Sequence, residues 1–369
     1  MALDSVEDAI QDIRDGRIVI VADDEDRENE GDLVCAGERI TPDLINFMTK
    51  IGRGLICVAM VPDRADALGL PLMTEQNTDP HGTAFTVSVD AGRQFGVTTG
   101  ISAHDRAKTV QVLVDPDSTP GDLRRPGHIF PLRARPGGVL RRVGQTEASV
   151  DLARLAGLSP VGVICEILNE DGSMARRGEL EIIARDHDLR FITVKQLVSY
   201  RLARERLVER VATSAVRTRL GNFDMMAYRS DLDSRVHLAL VKGDVFGKAN
   251  VLVRMHAENV LTDTFGSAEE DVGNLLAGAM QRIDREGQGV IVYIRSDRAG
   301  ERLVEKLGGT VASTDEGDAL RDYGVGAQIL LDLGLNQIRL LTNSQRKIVG
   351  LDGYALEVVG REPFSEDCG

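Results

Sequence analysis

The segment R-I-V-I-V-A-D-D-E-D-R-E-N-E-G-D, residues 17–32, passes from an apolar run straight into a block of acids. Its first six residues read as a short buried strand. Of the ten that follow (23–32), eight are charged, seven of them acidic around the single Arg27. A solvated loop has the same composition. Seven acids, however, repel one another unless a cation is shared, and sites are commonly built on loops that a rigid scaffold positions. Mg²⁺ takes one or two carboxylates and completes its shell with water and substrate oxygens, so this loop has the donors for it. Arg27 supplies charge for an anionic group beside the metal.

Outward from this loop, the first two hundred residues mix helix and strand signals. Ser5 to Gly16 reads as a helix with Ser5 as N-cap and Gly16 as stop, and Thr41-Pro42 opens another. Residues 54–61, 84–90 and 161–168 read as strands, the second by clean alternation, and 103–114 and 147–157 as helices. The intervals are too short for regular crossovers, which favours α+β over a doubly wound sheet. Residues 195–211, without Gly or Pro, read as one long helix with apolar pairs Val198/Leu202 and Leu207/Val211. That segment is expected to hold a domain boundary and to connect stiffly. Beyond it, strands are expected near 237–242, 250–255, 289–294 and 338–342, and a helix near 268–284.

Composition narrows the function. With 369 residues, 42% apolar and 28% charged, the chain is neither disordered nor fibrous and is long enough for two cores. No apolar run suits a membrane helix, the N-terminus M-A-L-D-S-V-E-D lacks a secretory pattern, and the four cysteines contain no C-x-x-C pair. A cytoplasmic protein is expected. Net charge is −14, divided as −10 over residues 1–200 (22 basic, 32 acidic) and −4 over 201–369 (22 basic, 26 acidic). Such a balance repels a phosphate backbone, and 4% aromatics without tryptophan make a poor base-stacking surface, so nucleic acid is not the expected partner. A small anionic substrate remains, provided arginine or a metal supplies the cation.

Four further clusters carry chemistry-bearing residues. V-T-T-G-I-S-A-H-D-R (97–106) reads first as a turn with a capped helix. R-P-G-H-I-F-P-L (125–132) places His128 between a turn and an apolar run, where a packed histidine is the ordinary case. R-R-V-G-Q-T-E-A (141–148) sets Arg142 before a helix opening at Thr146, which is a phosphate site in principle and an ordinary capped helix otherwise. Glu166 interrupts the apolar strand V-I-C-E-I-L, where a carboxylate is costly unless paired or functional.

The order and wording of these motifs carry a resemblance. Residues 4–200, through D-D-E-D-R-E-N-E-G-D, T-T-G-I-S-A-x-D-R, R-P-G-H-I-F-P-L, G-x-T-E-A and E-I-L-N-E-D-G-S-M-A-R, closely resemble 3,4-dihydroxy-2-butanone 4-phosphate synthase of riboflavin biosynthesis. The resemblance implies an α+β homodimer that converts ribulose 5-phosphate to 3,4-dihydroxy-2-butanone 4-phosphate and formate with Mg²⁺, Mn²⁺ being the alternative metal. Carried over by position, it makes Glu28 a metal ligand and Arg27, Glu28 and Asp32 substrate contacts. Arg142, Val143, Gly144, Gln145 and Thr146 become the phosphate-side segment, and His128, Glu166 and Cys57 catalytic positions. The family has a metal-binding histidine where this chain has Gln145. An amide oxygen still suits a hard cation, but it lacks imidazole basicity.

Residues 206–364 resemble GTP cyclohydrolase II, through T-R-L-G-N-F (218–223), H-L-A-L-V-K-G-D (237–244), V-L-V-R-M-H-A-E (251–258), D-T-F-G-S (263–267) and R-D-Y-G-V-G-A-Q-I-L (321–330). The family's three zinc cysteines fall on Asn259, Glu270 and Val272, and Cys368 at the tail cannot replace them, so no zinc is expected. Its E-G-R-G nucleotide loop falls on Asp297, Arg298, Ala299 and Gly300, and an acid two residues before Arg321 has become Ala319. Thr342 and Lys347 keep GTP-contact positions. The expectation is a synthase domain over 1–203 and a cyclohydrolase II-like domain over 204–369 without its own activity. A bifunctional enzyme and a non-catalytic scaffold for flavin-pathway enzymes are the alternatives.

Overall fold

Ser5 accepts the N–H of Asp8 through Oγ and opens α1 (Val6–Arg14), which buries Val6, Ala9, Ile10 and Ile13 along one face. Gly16, at φ +80°, turns the chain out of it, a conformation that costs glycine nothing. The computed structural model describes residues 3–23, 27–79, 81–231, 235–267, 275–295, 300, 303–304, 307–308, 316–343 and 356–364, with backbone alone over 316–323. The chain divides into two compact units, Met1–Val198 and Ser199–Gly369. No described helix is long and apolar enough to cross a membrane.

The first unit is built on a mixed seven-stranded sheet. Its strands are β1 (Val19–Ala22), β2 (Gly31–Ala36), β3 (Cys57–Met60), β4 (Val89–Ala91), β5 (Leu123–Arg133), β6 (Val161–Glu166) and β7 (Arg190–Thr193), in spatial order β4-β5-β3-β6-β2-β1-β7. The helices are α2 (Pro42–Phe47), α3 (Pro62–Ala67), α4 (Ala103–Val114), α5 (Gln145–Leu155) and α6 (Arg177–Asp186), while α7 (Val194–Arg204) runs across the division, its residues from Ser199 on belonging to the second unit. All four residues of β1 are buried, because helices cover both faces of the sheet. Ile20, Leu33, Val58, Ile129, Val163 and Cys165 point to one face and share a core with Ile45 of α2, Val110 and Leu113 of α4 and Leu180 of α6. Side chains alternate along a strand, so Val21, Asp32, Cys57, His128 and Glu166 leave by the other face, which α5 covers.

The second unit holds another mixed seven-stranded sheet, formed by β8 (Val208–Thr218), β9 (Gly221–Ser230), β10 (Val236–Lys242), β11 (Val251–Ala257), β12 (Gly289–Ile294), β13 (Gln337–Leu341) and β14 (Glu357–Glu362). Their order is β14-β13-β11-β12-β10-β9-β8. The described helices are α8 (Val260–Asp263), α9 (Leu275–Glu286) and α10 (Glu316–Asp332). Ala279, Met280 and Ile283 of α9 pack on Phe223, Leu240, Leu252 and Ile291 of the sheet. The α+β expectation holds for both units.

Three local expectations need correction. The helix expected over 195–211 ends at Arg204, and 208–218 is strand β8. The β-branched run V-E-R-V-A-T-S-A-V-R-T pairs with β9, and Gln328 secures the exit from the helix. Its Oε1 accepts from Leu207 N (2.7 Å), while Nε2 donates to Leu202 O (2.8 Å) and Glu205 O (2.6 Å). The strand expected over 84–90 forms only from Val89, with Phe85 and Thr86 making isolated bridges. R-P-G-H-I-F-P-L falls within the eleven-residue β5, and the turn expected before its apolar run is a bulge over residues 125–128 that leaves the pairing with β4. The helix expected over 268–284 is seen as α9 from Leu275; residues 268–274 lie outside the described residues.

Candidate active site

Register places the acidic and titratable residues in one row. Asp32 of β2 faces Glu166 of β6, and Val21 of β1 faces Asp32. Cys57 of β3 aligns with both Ile164 of β6 and Phe130 of β5, so Glu166 and His128 each lie two residues from a partner of Cys57. At about 4.8 Å per strand, the three steps from β5 to β2 span roughly 14 Å, the scale of a small phosphorylated sugar and a metal ion. The N-terminus of α5, with Gln145 and Thr146, closes the row from the covered face.

The acidic loop between β1 and β2 is folded around Asp23. Its Oδ1 accepts from Glu30 N (2.9 Å), and its Oδ2 from Glu28 N (3.2 Å) and Arg27 Nη1 (2.7 Å). The same Arg27 nitrogen lies 3.2 Å from Glu28 Oε2 and donates to Gln145 Oε1 at 3.3 Å. Arg176 pins the far side through Glu28 O (2.6 Å) and Asn29 O (2.7 Å). Asp24, Glu25 and Asp26 lie outside the described residues.

Asp32 is buried, and burial together with the negative charges of Glu166, Glu28, Asp23 and Glu30 raises its carboxyl well above the usual range. Glu30 is raised as well, by burial first and Glu28 second. A cluster of oxygen donors in which repulsion discourages ionisation is short of positive charge, which fits a hard divalent cation. Among the described residues no three His, Cys, Asp or Glu side chains enclose a metal ion by themselves. Mg²⁺ does not require that, since water and substrate complete its shell.

Glu166 is held by one oxygen: Leu55 N donates to Oε2 at 2.8 Å. This contact depends on Gly54, where an added Cβ would sit 2.5 Å from Glu166 O and 2.6 Å from its Oε2. Gly54→Ala is therefore expected to displace the carboxylate and lower kcat by about 10²-fold, the usual cost of a misplaced catalytic group. Activity assays beside a thermal melt check it; unchanged kcat contradicts the placement.

Cys57 is buried, and its thiol is pushed up by that burial and by the charges of Glu166 and Asp32. Both effects favour the thiol over the thiolate. His128 is partly exposed (42% of the side chain) and its Nδ1 lies 2.8 Å from Asp90 Oδ2. Arg142 is committed to Glu147 Oε2 (2.8 Å), His81 O (3.1 Å) and Thr83 Oγ1 (3.1 Å). Val143 and Gly144 form the turn into α5, with Gly144 as its N-cap. Gln145 is buried, its Oε1 on Arg27 and its Nε2 donating to Glu30 O at 3.4 Å.

Sequence reasoning missed Asp23 as the organiser of its own loop, because nothing local separates it from six other acids. It also missed Asp90, whose partner lies 38 residues away. Arg176 was quoted only as the end of a motif. Asp105, within V-T-T-G-I-S-A-H-D-R, has a structural place. Burial opposes its charge, yet Thr98 N and Oγ1 and Gly100 N all donate to it and hold its carboxyl below the usual range.

In the second unit Asn259 precedes α8 and donates its N–H to Asp263 Oδ2 (2.9 Å). Asp263 also binds His256 Nε2 (3.0 Å) and accepts from Tyr293 Oη (3.0 Å), so hydrogen bonds hold this segment. Gly300 is described only in isolation, and Thr342 donates its N–H to Glu362 O (2.8 Å). Ala319 and Arg321 fall in α10 where side chains are not described. Glu270, Val272, Asp297, Arg298, Ala299, Lys347 and Cys368 lie outside the described residues.

Comparison with known proteins follows the same division. The family model for 3,4-dihydroxy-2-butanone 4-phosphate synthase matches residues 7–200, and that for GTP cyclohydrolase II matches residues 209–363. Riboflavin biosynthesis protein RibBA of Synechocystis sp. is 52% identical over 98% of this chain and 67% of its own length. The RibBA of Chlorobium phaeovibrioides is 51% identical over 98% and 91%. Among solved structures, RibBX from A. baumannii, a two-domain 3,4-dihydroxy-2-butanone 4-phosphate synthase, aligns with TM-score 0.80 and 41% identity over 99% of this chain and 100% of that one. A 3,4-dihydroxy-2-butanone 4-phosphate synthase in complex with two magnesium ions aligns with TM-score 0.51 and 46% identity, over 53% of this chain and 96% of its own.

Proposed function

We infer that this chain, which belongs to the 3,4-dihydroxy-2-butanone 4-phosphate synthase family, converts ribulose 5-phosphate to 3,4-dihydroxy-2-butanone 4-phosphate and formate in riboflavin biosynthesis. The observation that carries the reading on this chain's own residues is the cross-strand pair Asp32–Glu166 beside a carboxylate-rich loop, with His128 on β5 two strands from Glu166. A bound Mg²⁺ would polarise neighbouring substrate oxygens and acidify the adjacent C–H. Glu28 and Asp32 are the side chains we assign to hold it. Arg27, fixed by Asp23, sets the orientation of Glu28, and the α5 N-terminus from Arg142 to Thr146 faces the phosphate. Glu166 keeps Oε1 free of Leu55 and, with His128, moves protons through enolisation, loss of water, skeletal migration and the addition of one water that releases formate. The two products together are isomeric with the substrate, so no outside oxidant or reductant is required.

Gln145 supports this function without ligating the metal in our reading, because its amide oxygen already faces the Arg27 guanidinium. For the second unit, we assign a retained scaffold without GTP ring opening. Its zinc-ligand positions hold no cysteine, and the lone cysteine beyond residue 200 is Cys368. The family match over residues 209–363 is what favours the bifunctional alternative.

One experiment separates these readings. Purified full-length protein receives ¹³C-labelled ribulose 5-phosphate with Mg²⁺, with EDTA, and in a separate tube GTP with zinc. Labelled formate is expected only in the Mg²⁺ sample. Formate from GTP would establish the bifunctional enzyme, and none from either substrate would leave the scaffold reading standing.

A further inference from the structure

We propose that Asp90 is the positioning residue of His128, fixing its tautomer so that Nε2 meets the substrate as a proton acceptor. The inference rests on the reading of His128 as a proton-transfer group.

The origin lies in the pairing of β4 with β5. Val89 aligns with Ile129 but the next residue, Asp90, aligns with Arg124, so Arg125–His128 bulge out of the ladder. A bulge leaves backbone N–H groups without strand partners, and those buried beside a core must find others. Gly127 N donates to Ser88 Oγ (3.2 Å) and His128 N donates to Asp90 Oδ1 (2.9 Å). The second oxygen of the same carboxylate, Oδ2, takes the ring Nδ1 at 2.8 Å. One acid thus grips both the backbone and the imidazole of one residue, which leaves the ring little rotational freedom.

An ionised carboxylate only accepts, so the neutral ring carries its proton on Nδ1 and presents the Nε2 lone pair. Burial puts the two groups in the right order: Asp90 is 8% exposed, whereas the His128 side chain is open enough to meet a ligand. Two glycines make this arrangement sterically accessible. A Cβ on Gly127 would sit 2.0 Å from the Val89 carbonyl carbon. One on Gly100, at φ +99°, would sit 2.0 Å from Asp90 Oδ2 and 2.5 Å from His128 Nδ1. The T-T-G turn therefore lies directly against the pair, and Asp105 holds that turn in place. A backbone role alone would be met by Oδ1; the contact from Oδ2 to the ring is the feature that points to chemistry.

The test uses the full-length enzyme labelled with ¹⁵N-histidine, and long-range ¹H–¹⁵N correlation to read the tautomer of His128. The wild type is expected to show the Nδ1-protonated form. In Asp90→Asn the side-chain oxygen keeps the backbone N–H and the amide NH₂ turns to the ring, so the tautomer reverses. kcat is then expected to fall about 10²–10³-fold with KM within about threefold, since a wrongly oriented proton-transfer group loses transition-state stabilisation and not uniform binding. Asp90→Glu, which restores the carboxylate, is expected to recover kcat to within about tenfold of wild type. Asp90→Asn with full kcat, or with lost kcat but an unchanged His128 tautomer, overturns the proposal. His128→Gln separates this from the underlying reading: if that variant keeps wild-type kcat, His128 itself is not a proton-transfer group. If it is inactive while Asp90→Asn is not, only the positioning role fails.

Discussion

Glu166→Gln is expected to lower kcat for formate release by about 10³-fold while leaving the fold intact, within the 10²–10⁴ range typical of a lost acid–base group. The substitution is nearly isosteric, and glutamine still offers Leu55 N an oxygen at the position now 2.8 Å away. What it removes is a group able to carry a proton, together with one of the charges acting on Asp32. The melting temperature should therefore hold or rise as kcat collapses. Steady-state kinetics beside a thermal melt decide the point. Activity within tenfold of wild type would show that Glu166 is a structural acid, and a fall in both quantities would mean the Leu55 contact has been lost.

Asp32→Asn is expected to show stability and activity moving in opposite directions. Burial and four neighbouring acids hold the Asp32 carboxyl well above its ordinary range. Its folded-state pKa is therefore higher than its unfolded one. Stability from this group is fully present below about pH 4, where both states are protonated, and is lost as pH rises through the folded value. Glu30, also raised, adds in the same direction. Metal-free wild type should melt lower as pH rises from acid to neutral, and Mg²⁺ should reverse much of that loss. Asparagine cannot ionise, so the metal-free variant should gain about 1–3 kcal/mol at neutral pH, the range found for poorly compensated buried polar groups. For a unit of this size that is roughly 3–10 °C in Tm. Formate production should drop at least about 10²-fold, because a carboxylate assigned to metal and substrate is gone. Tm against pH with EDTA, with and without Asp32→Asn, checks the first half. Parallel slopes for the two proteins would remove Asp32 as the source.

Both predictions turn on residues that the sequence marks by type but not by partner. Ser5, Thr41 and Ser102 announce their helices because a capping oxygen acts within three residues, and each takes the expected N–H. The carboxylate in V-I-C-E-I-L was legible for a similar reason: one acid in an apolar strand is costly and asks for a function. Residues 208–211 read as helix since an apolar i, i+4 pair cannot distinguish the end of a helix from the start of a strand, and the partner strand lies across a later turn. Gln328, which holds that junction, is more than a hundred positions away.

Motif wording alone carried the family, the reaction and the chemical kinds of residue, along with the missing cysteines of the second unit, because all of these depend on identity and order along the chain. Which partner each acid takes was decided by the fold. Asp23 is set apart by accepting from Glu30 N, Glu28 N and Arg27, and Gln145 by facing Arg27. Asp90 acquires a role because a slip of register in β5 brings His128 onto its carboxylate. The reason is physical: the energies that set a proton's position fall off over a few ångströms, and separation along the chain does not reveal separation in space.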